Sequence, residues 1–197
     1  NVIGFTKVII DLGESTNISG EQGAQSIAKF ANITKMSQKD FDRFGATIVE
    51  LGNNSATTEQ DILNMSMRLA AAGSQAGMSD AKILGMAAAL SSVGTEAEAG
   101  GSAMSKFMNM VQLSVETGNK DLGKFAKTAG MSASEFKKAF QEDAAGALGA
   151  FLVGLQDTDR HGKSAVQILD EMGIKEVRLR DTLLRASGAG DLFNDTI

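Results

Sequence analysis

The chain has 197 residues, of which 22% are charged, and a net charge of −5 at neutral pH; this is enough chain to bury a sizeable core, and the acidic balance supplies no global field toward nucleic acid or an anionic membrane. It contains no cysteine, which excludes disulfides, thiol catalysis and cysteine-ligated metals and suits a reducing cytoplasm. It also contains no tryptophan and no tyrosine, the rings on which sugar subsites, base-stacking platforms and interface hot spots depend, so ten Phe and ten Met are left to build the core.

Asn1-Val2-Ile3 enters directly on an amphipathic pattern with no charged-then-apolar leader, so the chain reads as a domain of a longer protein without a signal peptide. Helical periodicity and punctuation predict helices over 1–12, 21–31, 38–51, 58–72, 80–93, 96–117, 121–129, 133–141, 144–156, 163–172 and 175–187. No window alternates as a strand does. The expectation is an all-α fold: a compact multi-helix bundle of about ten short helices with glycine-containing loops, forming one domain over 1–197 with residues 118–132 as the best position for a subdomain seam.

In chain order, Ile18-Ser19 with Gln22 and Met36-Ser37 with Asp40 and Phe41 each read as a capped helix start. Phe41, Phe44, Ile48 and Leu51 then form one apolar stripe, and Ile62, Met65, Leu69 and Ala72 form the next. Between them, Gly52-Asn53-Asn54 is expected to end one helix, with Thr57-Thr58 starting another. Met78-Ser79 caps the following helix, although Lys82 stands where an acid would complete the box. Thr95 with Glu98 predicts a capping box, and Gly100-Gly101-Ser102-Ala103 offers small residues for close helix approach. Met104, Phe107, Met108, Val111 and Val115 form a third stripe. Met131-Ser132-Ala133-Ser134-Glu135-Phe136 carries the clearest capping box with a hydrophobic staple. Gly52, Gly73, Gly94, Gly118, Gly130, Gly173 and Gly188 are expected to close helices, while Gly45, Gly85, Gly146 and Gly149 fall inside them, where glycine either lowers helix stability or permits close packing. The nearly apolar run from Ala144 to Leu155 is too short for a membrane span and reads as a buried helix.

Several constellations resemble sites and fail on inspection. In Asp157-Thr158-Asp159-Arg160-His161-Gly162-Lys163-Ser164, the GKS ending lacks the first glycine of a phosphate loop and a preceding strand. The D-x-D-x-x-G start of a calcium loop ends on Ile168 where a bidentate Glu belongs. The segment is expected to be a polar turn whose aspartates cap the next helix. His161 is the single histidine and reads as a surface residue. Asp40/Asp42 and Asp170/Glu171 read as solvated charge, and so do Lys120, Lys124, Lys127, Lys137 and Lys138, whose run lacks aromatic interleaving. Met65, Met67, Met86, Met104, Met108, Met110 and Met172 fit core packing or an adaptable groove for a partner helix. The residues therefore indicate no catalytic, cofactor-binding or metal site, hence no enzyme, no cofactor and no small-molecule substrate.

The string Gly52-Asn53-Asn54-Ser55-Ala56-Thr57-Thr58, the segment from Ile83 to Met108, and Gly130-Met131-Ser132-Ala133-Ser134-Glu135-Phe136 occur in an order that resembles the core region of phage tail tape-measure proteins, the phage minor tail protein family. The resemblance covers roughly residues 20–185. It implies a structural role in a phage or prophage virion tail, assembled in the bacterial host cytoplasm, with tail length determination as the task. The partners it implies are tail tube subunits, tail assembly chaperones and the rest of the parent chain, and neither specific nucleic acid nor a membrane span in this segment. The alternative is a helical protein-interaction domain of a non-phage complex.

Overall fold

The computed structural model describes residues 2–157 and 161–190. Among them the elements are α1 (Val2–Ser15), α2 (Gly20–Thr34), a 3-10 turn (Gln38–Asp40), α3 (Phe41–Asn54), α4 (Glu59–Gln75), α5 (Asp80–Ser92), a π turn (Ala97–Gly101), α6 (Ser102–Thr117), α7 (Lys120–Thr128), α8 (Ala133–Glu142), α9 (Ala144–Gln156), α10 (Ala165–Glu171) and α11 (Val177–Gly188). The described residues contain no strand, and the all-helical expectation holds.

Packing is organised around α4 and α5. Ile62, Met65, Leu69 and Ala72 of α4 are all buried, as their spacing predicts. This helix touches α2, α3, α5, α6 and the π turn. Every residue of α5 from Ile83 to Leu90 is buried, so it is a helix without a wet face, and its alanines and glycine let neighbours approach from all sides. α9 is the second such helix: Ala144, Ala145, Ala147, Leu148, Gly149, Phe151, Leu152, Gly154 and Leu155 are buried. One contiguous apolar cluster runs from Val8 in α1 to Ala186 in α11. Within it the rings of Phe30 and Phe44 lie 4.8 Å apart, and Phe107, Phe125 and Phe151 from α6, α7 and α9 form a triangle with centroid separations of 5.8, 5.0 and 5.9 Å.

Helix ends follow the predicted grammar at some positions and depart from it at others. Gly94, Gly118, Gly130 and Gly173 take positive φ at helix termini. Gly73 does not. α4 continues to Gln75, the left-handed residue is Gly77 (φ 77°), and Gly73 is buried where a Cβ would meet Ile83 at 2.7 Å. Gly188 is the last residue of α11, which closes at Ala189 without a left-handed turn. Gly52 and Asn53 lie within α3, and the helix ends at Asn54, whose side-chain amide donates to the Glu50 carbonyl and carboxylate at 2.9 Å each. Gly52 leaves room for the Glu59 side chain, which a Cβ would meet at 2.5 Å. Lys35 closes α2 at φ 57° without being glycine or asparagine.

The N-terminal caps divide in the same way. Ser132 and Glu135 form the predicted box: the Glu135 N–H donates to Ser132 Oγ at 3.2 Å and the Ser132 N–H donates to Glu135 Oε2 at 2.8 Å. Thr58 and Ser79 cap α4 and α5 by accepting from Asp61 and Lys82 N–H groups. Ser19 precedes α2 without a side-chain bond; the start is held instead by Ile18, whose methyl fills the space a Cβ on Gly23 would need. Ser37 caps the short 3-10 turn by accepting from Lys39, and Asp40 turns forward to Arg43 instead of back to Ser37. Thr95 and Glu98 make no box, because the chain enters α6 through the π turn and Thr95 is buried.

Candidate functional site

The region that carries the GNNSATT string is a junction of three segments. Thr58 starts α4, while Thr57 turns away and its hydroxyl lies 2.5 Å from that of Ser91 at the end of α5. Asn17, in the α1–α2 loop, accepts from the Gln60 N–H at 3.2 Å. Within the string, Thr57 ties the α3–α4 turn to the end of α5 and Thr58 caps α4, while the buried hydroxyl of Ser55 makes no hydrogen bond. A polar group that satisfies a helix amide or a neighbouring hydroxyl is occupied by architecture and is not presented to a substrate.

A cleft of about 500 Å³ lies between the end of α2, the start of α3 and the start of α5. Asp40, Arg43 and Asp80 line it with Met36 and Phe44. Asp40 is paired with Arg43. Burial in the cleft wall raises the Asp80 carboxyl above its ordinary value, and the like charge of Asp40 adds to this. At the opposite corner of the α5 start, Lys82 pairs with Asp143 at 2.6 Å. Asp143 also caps α9 by accepting from the Gly146 N–H at 3.1 Å. The Lys82 hydrogen bond holds its carboxyl below the ordinary value against the opposing effect of burial, and the Gly146 cap adds to the lowering. No spacing signal links residues 82 and 143, so this tie between α5 and the α8–α9 corner could not be read from the sequence.

The other constellations resolve individually. Asp157 follows α9, and Ser164, not an aspartate, caps α10: its Oγ accepts from the Gln167 N–H at 3.3 Å and its N–H donates to Gln167 Oε1 at 2.9 Å. Thr158, Asp159 and Arg160 lie outside the described residues. His161 is half-buried, not a free surface residue; its Nε2 lies 2.9 Å from the Gly154 carbonyl near the end of α9. Asp170 pairs with Arg180 and Glu171 with Lys163, at 3.2 and 2.5 Å. Lys124 pairs with Asp121 on its own helix, and Lys138 with Glu142. Met65, Met86, Met104 and Met108 are core residues, while Met110 and Met172 are half-buried beside a small notch of about 110 Å³. Among the described residues no three His, Asp or Glu side chains come together as a metal-binding group, and no helix is long and apolar enough to cross a membrane.

Short helices, no strand and polar side chains used largely in caps, helix ties and surface ion pairs define the class among the described residues: an all-helical bundle. Comparison with known families gives that class its place: the phage-related minor tail protein family matches residues 1–194, and the chain belongs to it. It is a component of a phage tail. No curated protein and no solved structure matches the chain.

Proposed function

We propose that residues 1–197 are one folded, non-catalytic module of a tail tape-measure protein, acting in tail assembly and tail-length determination through contacts with tube subunits, tail chaperones and the rest of its own chain. The observation that carries this reading is the family match over residues 1–194, together with the ordered GNNSATT, Ile83–Met108 and GMSASEF segments that resemble the tape-measure core. In support, those segments build the α3–α4–α5 junction, the buried α5 helix and the capped start of α8, so the family signature coincides with the framework of the bundle.

Scale separates this module from the extended part of a ruler. A single helix of this many residues would span about 300 Å at about 1.5 Å per residue. A compact chain of the same size has a radius of gyration of about 16 Å. The helices here are short and doubled back on one another, which suits a plug or docking module that adds little length. In-frame deletion of residues 1–197 from the parent gene tests this. The expected outcome is defective tail assembly, or tails shortened by far less than 300 Å; normal, infective tails shortened by the full rod length would overturn it.

A further inference from the structure

The entrance to α6 holds two unpartnered hydroxyls and an alternative way of satisfying one of them. Thr95 is buried and its Oγ1 makes no hydrogen bond, and neither does the buried Oγ of Ser92 just before it. A buried hydroxyl without a partner carries a desolvation penalty. What holds Thr95 there is packing: its Cγ2 occupies the place a Cβ on Gly100 would take, with the Thr182 hydroxyl of α11 on the same side. Gly101 lies against Met65 and Arg68 of α4, where a Cβ would approach within 3.0 and 2.7 Å. The chain between them is wound as the π turn Ala97–Gly101, an uncommon arrangement for a helix start, and Glu96 at its cap position makes no side-chain cap bond. The Thr95 N–H closes α5 by a bond of 3.2 Å to the Leu90 carbonyl.

The same residues satisfy the local rule for a different start. With Thr95 as the capping residue, Glu98 stands three positions on, so the threonine hydroxyl can accept from the Glu98 N–H and the Glu98 carboxylate can accept from the Thr95 N–H. Glu98 is exposed, so its side chain is available for this. We infer that Thr95–Gly101 is a two-state element: a packed form with the π turn and a buried, unpartnered Thr95, and a capped form in which the turn is α-helical and Thr95 faces its own helix. The packed form keeps the Leu90 bond and the Gly100 contact; the capped form exchanges them for two hydrogen bonds at the helix start. Space for the exchange is present on both sides. Gly94, Thr95 and Glu96 separate a cleft of about 410 Å³, bounded by Asp61 and Asn64 of α4, from one of about 220 Å³, bounded by Arg178 and Arg185 of α11. Because the π turn packs against α11, switching changes how α11 seats on it.

Amide ¹⁵N relaxation dispersion on the intact domain tests this, comparing residues 96–101 with residues 104–115. The wild type is expected to show millisecond exchange confined to the first set. Thr95→Val keeps the methyl group against Gly100 and removes the hydroxyl, so the population of the capped form should fall about tenfold, in keeping with relief of a buried hydroxyl's desolvation penalty. Glu98→Ala, at an exposed position that leaves the packed form untouched, should shift the population in the same direction. Exchange in residues 96–101 no different from that in 104–115, or a population unchanged by either variant, would overturn the two-state assignment.

Discussion

Ser132 and Glu135 satisfy two orphan groups at the start of α8 with two side chains, and their neighbours explain why the arrangement is fixed. Phe136 is fully buried and Met131 packs on the core, so the backbone that presents the cap is held from beneath. Ser132→Ala is expected to lower unfolding stability by about 1 kcal/mol, read as a shift in urea midpoint at constant slope. Asp143 makes a different kind of contribution, because it joins two helices through a charge. Its folded-state carboxyl lies below the ordinary value, so its stabilisation is complete above the unfolded value, about pH 4, and is lost as pH falls through the folded one. Asp143→Asn, which retains a capping side chain, should cost at most about 1 kcal/mol at neutral pH, since the pair is solvent-exposed. The difference from wild type should close in acid denaturation below about pH 4. Asp80 has the opposite sign: its raised value gives a contribution present in acid and lost as pH rises through the folded value, so Asp80→Asn should gain on wild type above pH 4.

Helices in this protein approach one another through glycine, and two positions separate packing from propensity. Gly154 in α9 lies directly on the Thr128 carbonyl of α7, and a Cβ there would overlap backbone atoms that cannot rotate away. Gly123, inside α7, is exposed with nothing within reach of a Cβ. Gly154→Ala should therefore destabilise by about 1–3 kcal/mol through overpacking, whereas Gly123→Ala should stabilise by about 0.5–1 kcal/mol through helix propensity. Opposite shifts in thermal midpoint check the pair, and shifts of the same sign would contradict the α7–α9 contact. Gly23, Gly45, Gly73, Gly100 and Gly101 are close approaches too, but there a neighbouring side chain, not backbone, fills the space of the missing Cβ. The helix-interior glycines at these positions are packing devices.

Among the described residues the exposed large apolar side chains are Ile10, Ile33, Leu113, Val153, Val166 and Val177, each on a different helix. Scattered single residues of this kind are ordinary protein surface and do not form the aromatic-rich centre that tight interfaces use. The isolated domain is expected to sediment as a monomer at micromolar concentration. A stable trimer or hexamer in analytical ultracentrifugation would show instead that these residues converge on an interface. In a tail, where partners are held at high local concentration, weak surfaces suffice because effective concentration replaces intrinsic affinity.

Fold class, most helix positions and the strongest caps were legible in the linear order, because each depends on residues within four positions of one another: the Ile62–Ala72 stripe, the Ser132–Glu135 box and the left-handed glycines at 94, 118, 130 and 173 are local physics. The family signature was legible for the same reason, as contiguous strings. What became visible only in the folded chain depends on contacts across many residues. Gly52 and Gly73 look like helix stops, yet both lie inside helices because Glu59 and Ile83 need the space beside them. Thr95 looks like a cap and is buried instead, because its methyl group sits in the space left by the missing Cβ of Gly100. Lys82 reaches Asp143, Thr57 reaches Ser91 and His161 reaches Gly154 for reasons that no spacing encodes. Local rules assign a residue its cheapest conformation in isolation; burial against a distant helix is worth a comparable free energy and overrides the local choice wherever the two conflict.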